Sequence, residues 1–316
     1  MIMSETLPRY RDLPLSREGA PWRTAWGIFG SQSELGTLEL LTPARRRAGL
    51  ALVEDGVTVN LDHPLDIPLE IFKFRPQFKH KVFEIMPGYL DETLDDFAPQ
   101  LSSQWDSLRH VRSPDGFYND LVKDENSLES KSLLGIDKVA QAGIVGRGVL
   151  LDVAEYMASQ GDPIEPNTRR EISTSVLDDV AASQGVTIQT GDIVLVRFGV
   201  DAFLHRLIAA PGTVEMRYEA PGLQQDETTL EWLWDKHVAA ICADNIAVEV
   251  TPPRGPDTRL HPALLGLFGL AMGELFDLVE LSRECKKRKR YEFAFVAKPF
   301  RLTGGVGSPA NAMAIF

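Results

Sequence analysis

Three runs between positions 148 and 244 limit what this chain can fold into. GRGVLLDV over residues 146–153, read as a strand from Gly148, IVLVRFG over residues 193–199 and VAAICAD from Val238 are short, apolar and rich in β-branched side chains. Runs of that length, bounded by turn residues such as Gly191-Asp192, read as strands buried on both faces. Between them lie SVLDDVAASQG, an amphipathic helix pattern ending at Gly185, and TTLEWLWDKH, a second helix. Strands that alternate with helices imply an α/β class with a parallel or mixed sheet.

The rest of the chain fits that class. Thr42 before Pro43 is a helix start, because the hydroxyl caps and proline suits the first turn. That helix is expected to run through RRRAGLALVED to Gly56, and VTVNL after it alternates as a strand. From Pro64 to about Tyr89 no regular pattern stands out; within it FKFRPQFKHKVF, residues 72–83, suggests an extended flap carrying aromatics and cations, and residues 121–145 show a weak helical pattern. LHPALLGLFGL and DLVELSRECKKRKR read as helices, YEFAFVAKPF as a strand and TGGVGSP as a closing loop. Residues 1–25 are polar and form an N-terminal arm laid over the surface or over a neighbouring subunit. Residues 26–316 form one domain, with no repeat or linker.

Composition narrows the function classes. With 44% hydrophobic and 25% charged residues over 316 positions, the chain has the means to bury a large core. Its net charge of −12 repels nucleic acid and anionic membranes, so neither is expected as a partner. Two cysteines, Cys242 and Cys285, make no disulfide framework. The N-terminus has no secretory pattern and no run is long enough to span a bilayer, so a cytoplasmic location is expected. No nucleophile elbow, Walker A loop or dinucleotide fingerprint occurs. KKRKR at a helix end reads as a solvated patch that suits the helix dipole.

The stretch QWDSLRH carries the candidate chemistry. On a strand, Gln104 and Asp106 share a face, and a turn brings His110 back towards them. A carboxylate suits a divalent cation, and a neutral imidazole suits proton abstraction from water. The competing reading is a structural Asp106–His110 hydrogen bond. A second, weaker pair is His261, opening a helix, and Glu274. For His63, His80, His205 and His237 structural roles are expected, although His63 and His205 lie where they could line or reach a pocket.

The chain resembles the cyclase-like metal-dependent hydrolases, the group that includes bacterial kynurenine formamidases and isatin hydrolase. The likeness is carried by WGIFGSQSELGTLELLTPARR, QWDSLRHV, FYND, GRGVLLDV and GDIVLVRFG, then by PGLQQDETTLEWLWDKHVAAICADNIAVEV, LHPALLGLFGLAMGELFDL and RYEFAFVAKPFRLTGGVGSPANAMAIF. It implies a swivelling β/α/β fold with a mixed sheet and flanking helices. Laid over the family signature H-x-G-T-H-x-D-x-P-x-H, Asp106 matches the ligand aspartate and His110 the catalytic acid/base. Gln100 and Gln104 stand where the family has two ligand histidines, and His261 and Glu274 match its later ligands. The resemblance therefore implies one divalent ion, manganese or zinc, held by Asp106, His261 and Glu274 with Gln104 helping, or no metal if the glutamines abolish binding. It further implies hydrolysis of an amide, formamide, lactam or lactone in a small aromatic substrate. That is arylformamidase-like chemistry of the kind used in tryptophan catabolism to kynurenine. Trp105, Tyr118, Asn119 and the aromatic segment 71–83 are the expected substrate contacts, and a homodimer or homotetramer the expected assembly. The alternatives are a metal-free binding protein on the same fold and a cyclase or lyase acting on a polyketide-like substrate.

Overall fold

The computed structural model describes residues 7–17, 22–67, 74–125, 127, 129–212, 215, 217–255 and 258–316. In chain order the first elements are α1 (Pro43–Leu50), β1 (Thr58–Asn60), a hairpin of β2 (Lys79–Met86) and β3 (Tyr89–Asp95), and β4 (Gln104–Asp106). Next come α2 (Ile136–Ala142), β5 (Ile144–Asp152), α3 (Val153–Ser159), β6 (Glu171–Ile172), α4 (Thr174–Gln184) and β7 (Ile193–Arg197). They are followed by α5 (Val200–Ala209), β8 (Gly222–Leu223), α6 (Glu227–Asp235), β9 (Ala240–Ala243) and a π-helical segment, Pro262–Phe268. The chain closes with β10 (Ala271–Glu274), α7 (Val279–Arg288), β11 (Glu292–Ala297), β12 (Gly307–Pro309) and β13 (Ala312–Ile315).

One mixed sheet organises the domain, in the order β1-β13-β11-β5-β7-β9-β10-β4-β12. Its centre, β5-β7-β9-β10, is parallel, and the flanking strands are antiparallel. The three apolar runs of the sequence form three of those parallel strands. Their side chains alternate between two cores: Val149, Leu151, Val194, Val196 and Ile241 enter one, and Leu150, Ile193, Leu195 and Cys242 enter the other. Helices α4, α5 and α6 cover the first face, through Leu177, Val180, Leu204 and Leu233. Helices α2 and α7 cover the second, through Val139, Leu281 and Cys285. Both faces are dry, which is why these runs lack a polar alternation.

The helix starts and stops obey local chemistry. Thr42 Oγ1 accepts from Arg45 N and Asp226 caps α6 through Thr229 N. Gly185 ends α4 in the left-handed conformation. Helix α1 stops at Leu50, short of the expected Gly56. Gly49 lies flush on β5, where a Cβ would stand 2.2 Å from the Gly146 carbonyl carbon, and the chain then turns away towards β1. The basic end of α7 is paired rather than free: Arg288 meets Glu284 and Asp55, and Arg290 meets Glu54.

Two expectations need correction. TGGVGSP is not wholly a loop, because Gly307–Pro309 forms the edge strand β12 on β4, with Gly307 opposite Asp106. The extended flap is a hairpin whose ladder runs from Lys79 to Asp95, beyond the expected limit. Residues 71–73 of the aromatic segment lie outside the described residues. In the described part of the arm, Tyr10 packs edge-on against Phe268, and Trp234 Nε1 donates to Pro8 O.

Candidate metal centre

Strand alternation builds the site. Gln104 and Asp106 point to one face of β4, and the antiparallel register sets Gln104 opposite Glu274 and Asp106 opposite Met272 on β10. Gln104, Asp106 and Glu274 therefore share one face at the end of the parallel strands, the usual place for a site in an α/β sheet. All three are buried. His261 is brought over them from the residue before Pro262, at the start of the π-helical segment. One ligating atom from each of Asp106, His261 and Glu274 lies within 4.8 Å of the others.

The hydrogen bonds orient this group. His261 Nδ1 is 2.6 Å from Glu249 Oε1, and its Nε2 is 2.9 Å from Glu274 Oε1 and 3.9 Å from Asp106 Oδ2. Glu249 also accepts from Leu260 N and from Gln225 Nε2, so the carboxylate that holds the ring is itself fixed. A carboxylate behind a ligating imidazole is the usual support of a metal-bound histidine. Gln104 Nε2 donates to Glu274 Oε2 at 2.6 Å. Two oxygens are left over: Gln104 Oε1 and Asp106 Oδ2 are buried with no hydrogen-bond partner. Stranding a buried acceptor costs free energy, so an unpaired pair beside two further ligand atoms fits a cation.

Electrostatics agree. Burial raises the pKa of Glu274, and the charge of Asp106 adds to the rise. Burial opposes a charge on His261, but its hydrogen bonds to Glu249 and Glu274 prevail and raise its pKa well above the ordinary value. Arg75 is a further compensating charge that the sequence did not single out. Burial lowers its pKa while Glu274 and Asp106 favour its charge, and its guanidinium donates to Gln100 O. Asp106, Glu249 and Glu274 thus surround the His261 imidazole, and Asp106 and Glu274 also act on the Arg75 guanidinium.

His110 completes the group. Its Nε2 is 3.9 Å from Asp106 Oδ2. Gln100 Nε2 donates to Asp106 Oδ1 at 2.6 Å and approaches His110 Nδ1 at 3.4 Å. No direct Asp106–His110 hydrogen bond forms. Gly307 makes room for this arrangement, since a Cβ there would stand 2.4 Å from Gln100 Cγ.

A cavity of about 600 Å³ opens onto His110, Glu249, His261 and Glu274. Phe74, Val111, Tyr218, Ile246 and Val250 supply apolar wall, and Arg75, Arg259, Gln225 and His110 supply polar groups. The expected substrate contacts are elsewhere. Trp105 points to the other face of β4, packs edge-on against Phe276 and Phe295, and donates its Nε1–H to Ala310 O. Tyr118 is fully buried against Gly269. Asn119 ties a turn together, accepting from Gly27 N and donating to Gly30 O and Ser33 O. Local sequence could not show this, because strand parity decides which neighbour of Asp106 faces the cavity. Of the expected aromatic segment, Phe74 does line it.

The putative cyclase family matches residues 59–250, more than half of the chain. The chain belongs to that family. It is similar to a crystal structure described as a novel cyclase, with 26% identity and a TM-score of 0.77, covering 93% of this chain and 99% of that one. Isatin hydrolase A from Labrenzia aggregata shares the fold at 14% identity and a TM-score of 0.57, over 82% of this chain and 93% of that one. So does a predicted metal-dependent hydrolase from Bacillus stearothermophilus, at 16% identity and a TM-score of 0.51, over 83% and 98%. No curated protein matches the chain. Among the described residues no helix is long and apolar enough to cross a membrane.

Proposed function

We propose that this cyclase-family protein is a metal-dependent hydrolase that opens an amide, formamide, lactam or lactone bond in a small aromatic substrate. The observation that carries the reading is the pair of stranded oxygens, Gln104 Oε1 and Asp106 Oδ2, beside His261 Nε2 and Glu274. Asp106, His261 and Glu274 would hold one divalent ion, with the Gln104 amide oxygen as a fourth donor. An amide oxygen in place of an imidazole favours manganese over zinc. When bound, the ion supplies a Lewis acid that polarises the scissile carbonyl and acidifies a water.

The chain's own residues do the rest. His110 takes a proton at Nε2 and returns it to the leaving nitrogen or oxygen. Its contact with Gln100 at 3.4 Å is too long to lock one tautomer. Gln100 fixes the Asp106 carboxylate, and Glu249 fixes the His261 ring. The apolar wall of Ile246 and Val250 excludes water from one side, and Phe74 and Tyr218 offer ring faces to an aromatic substrate. A second reading, a metal-free binding protein, draws on the same two glutamines. Elemental analysis of protein purified without chelators, followed by turnover of aryl formamides, lactams and lactones with manganese or zinc, separates the two. A protein that takes up neither ion and turns over none of these substrates would end the hydrolase reading. As assembly we propose a homodimer or homotetramer, on the support of the hairpin β2–β3, which exposes Val82, Phe83, Ile85, Tyr89 and Leu90.

A further inference from the structure

Outside the cavity, three further side chains converge from distant parts of the chain. His63 follows β1, His205 lies on α5 and Asp277 follows β10. His205 Nε2 is 2.7 Å from Asp277 Oδ2, and His63 Nδ1 is 3.7 Å from the same oxygen. The two rings meet edge to face at 5.5 Å between centroids. One ligating atom from each of the three lies within 4.8 Å of the others.

His63 is the anomaly. Its side chain is wholly buried, and neither ring nitrogen has a hydrogen-bond partner. The backbone gives it no freedom to move out. His63 N donates to Ser103 Oγ, Ser103 Oγ donates to Leu275 O, and Ser102 Oγ donates to Pro64 O, so this segment is laced onto β4 and β10. A buried imidazole with both nitrogens unpaired loses its water and gains nothing in return. Asp277 forms no ion pair with a lysine or arginine among the described residues; beside these two rings it accepts from Val279 N. A lone His205–Asp277 ion pair would leave His63 unexplained.

We infer that His63, His205 and Asp277 form a second, separate metal site for zinc or a similar first-row divalent ion. Two imidazoles and one carboxylate are a borderline donor set that selects such ions over magnesium or calcium. Atoms bound to one tetrahedral zinc at ~2.1 Å stand roughly 3.4 Å apart. The separations of 2.7 and 3.7 Å fall on either side of that value. The side chain of His205 is 46% exposed, so the ion has an entry path and water completes its shell. Bound there, the ion ties the exit of β1 to α5 and to the loop after β10. Its first effect is on stability rather than on turnover.

The inference does not rest on the hydrolase reading, and the two can fail separately. The full chain is stripped with chelator, titrated with zinc by calorimetry, and assayed for bound metal and for thermal midpoint. His205→Ala changes an exposed side chain and keeps the fold. Asp106→Ala removes a donor from the centre beneath the cavity. Two zinc ions are expected in the unaltered protein, one in His205→Ala and one in Asp106→Ala, with the zinc-dependent rise in midpoint reduced in His205→Ala. One ion in the unaltered protein, none in His205→Ala and one in Asp106→Ala would support this site and sink the centre at Asp106. Equal stoichiometry and affinity in the unaltered protein and His205→Ala would overturn the inference. If His205→Ala does not fold, His63→Gln with the same readouts decides the question.

Discussion

Gln104 and Glu274 face each other across β4 and β10, and the amide nitrogen of one donates to the carboxylate of the other at 2.6 Å. That hydrogen bond fixes the amide's orientation. It leaves Gln104 Oε1 buried and without a hydrogen-bond partner. A glutamine in this place keeps an oxygen donor beside Asp106, so losing the imidazole of the family signature does not empty the position.

Asp106→Ala is expected to abolish tight binding of metal at this centre. It removes the carboxylate oxygen of this centre that is buried without a hydrogen-bond partner. Elemental analysis after dialysis measures the loss, and a variant that keeps its metal beneath the cavity removes Asp106 from the ligand set.

His110→Asn is expected to lower turnover by roughly 10²–10⁴-fold while metal content and thermal midpoint stay near those of the parent. Gln100, not His110, makes the short hydrogen bond to Asp106, so the carboxylate keeps a partner in the variant. Rate, metal content and midpoint measured on one preparation decide the matter. Near-normal turnover in a folded, metal-loaded variant excludes the acid/base role.

Gly307→Ala tests the back of the site. The added Cβ meets Gln100 Cγ and Cδ, so Gln100 must move and release the Asp106 carboxylate. Overpacking of this kind costs about 1–3 kcal/mol, seen in a denaturation curve. Turnover is expected to fall by more than the folded fraction. A silent substitution would show that Gln100 does not position Asp106.

Metal uptake is expected to strengthen as pH rises. His261 has a raised pKa, so in the metal-free protein it carries a proton between Glu249 and Glu274. The stability from that charged pairing is fully present below about 6.5 and is lost as pH climbs through the raised folded value. An ion must displace the same proton. Calorimetry in buffers of different ionisation enthalpy should show net proton release, and affinity independent of pH would contradict the assignment of His261 as a ligand.

Trp105→Ala is expected to cost about 3–5 kcal/mol of stability. The folded fraction should keep its substrate KM, because the ring packs on Phe276 and Phe295 rather than on the cavity. Phe74→Ala should do the reverse, raising KM with little change in stability, since that ring is exposed at the cavity. A KM effect from Trp105 alone would reverse the two roles.

By itself the sequence determined the alternation of strands and helices, because IVLVRFG and its partners are apolar runs bounded by turn residues and capped helices. It also marked Asp106, His110, His261 and Glu274, through residue type and family resemblance. The tertiary structure decided the rest. Register across β4 and β10 set Gln104 against Glu274 and turned Trp105 to the opposite core. A strand neighbour's direction depends on which face the sheet buries, and no local pattern of three residues contains that information. Gly307 looked like loop chemistry until its pairing placed it opposite Asp106, with no side chain to displace Gln100. His63, His205 and Asp277 lie far apart in the chain; the two histidines taken singly had ordinary structural readings, and Asp277 drew none. Only the closure of β1, α5 and β10 around one point left an imidazole buried without partners beside an acid, and that is a property of packing, not of sequence.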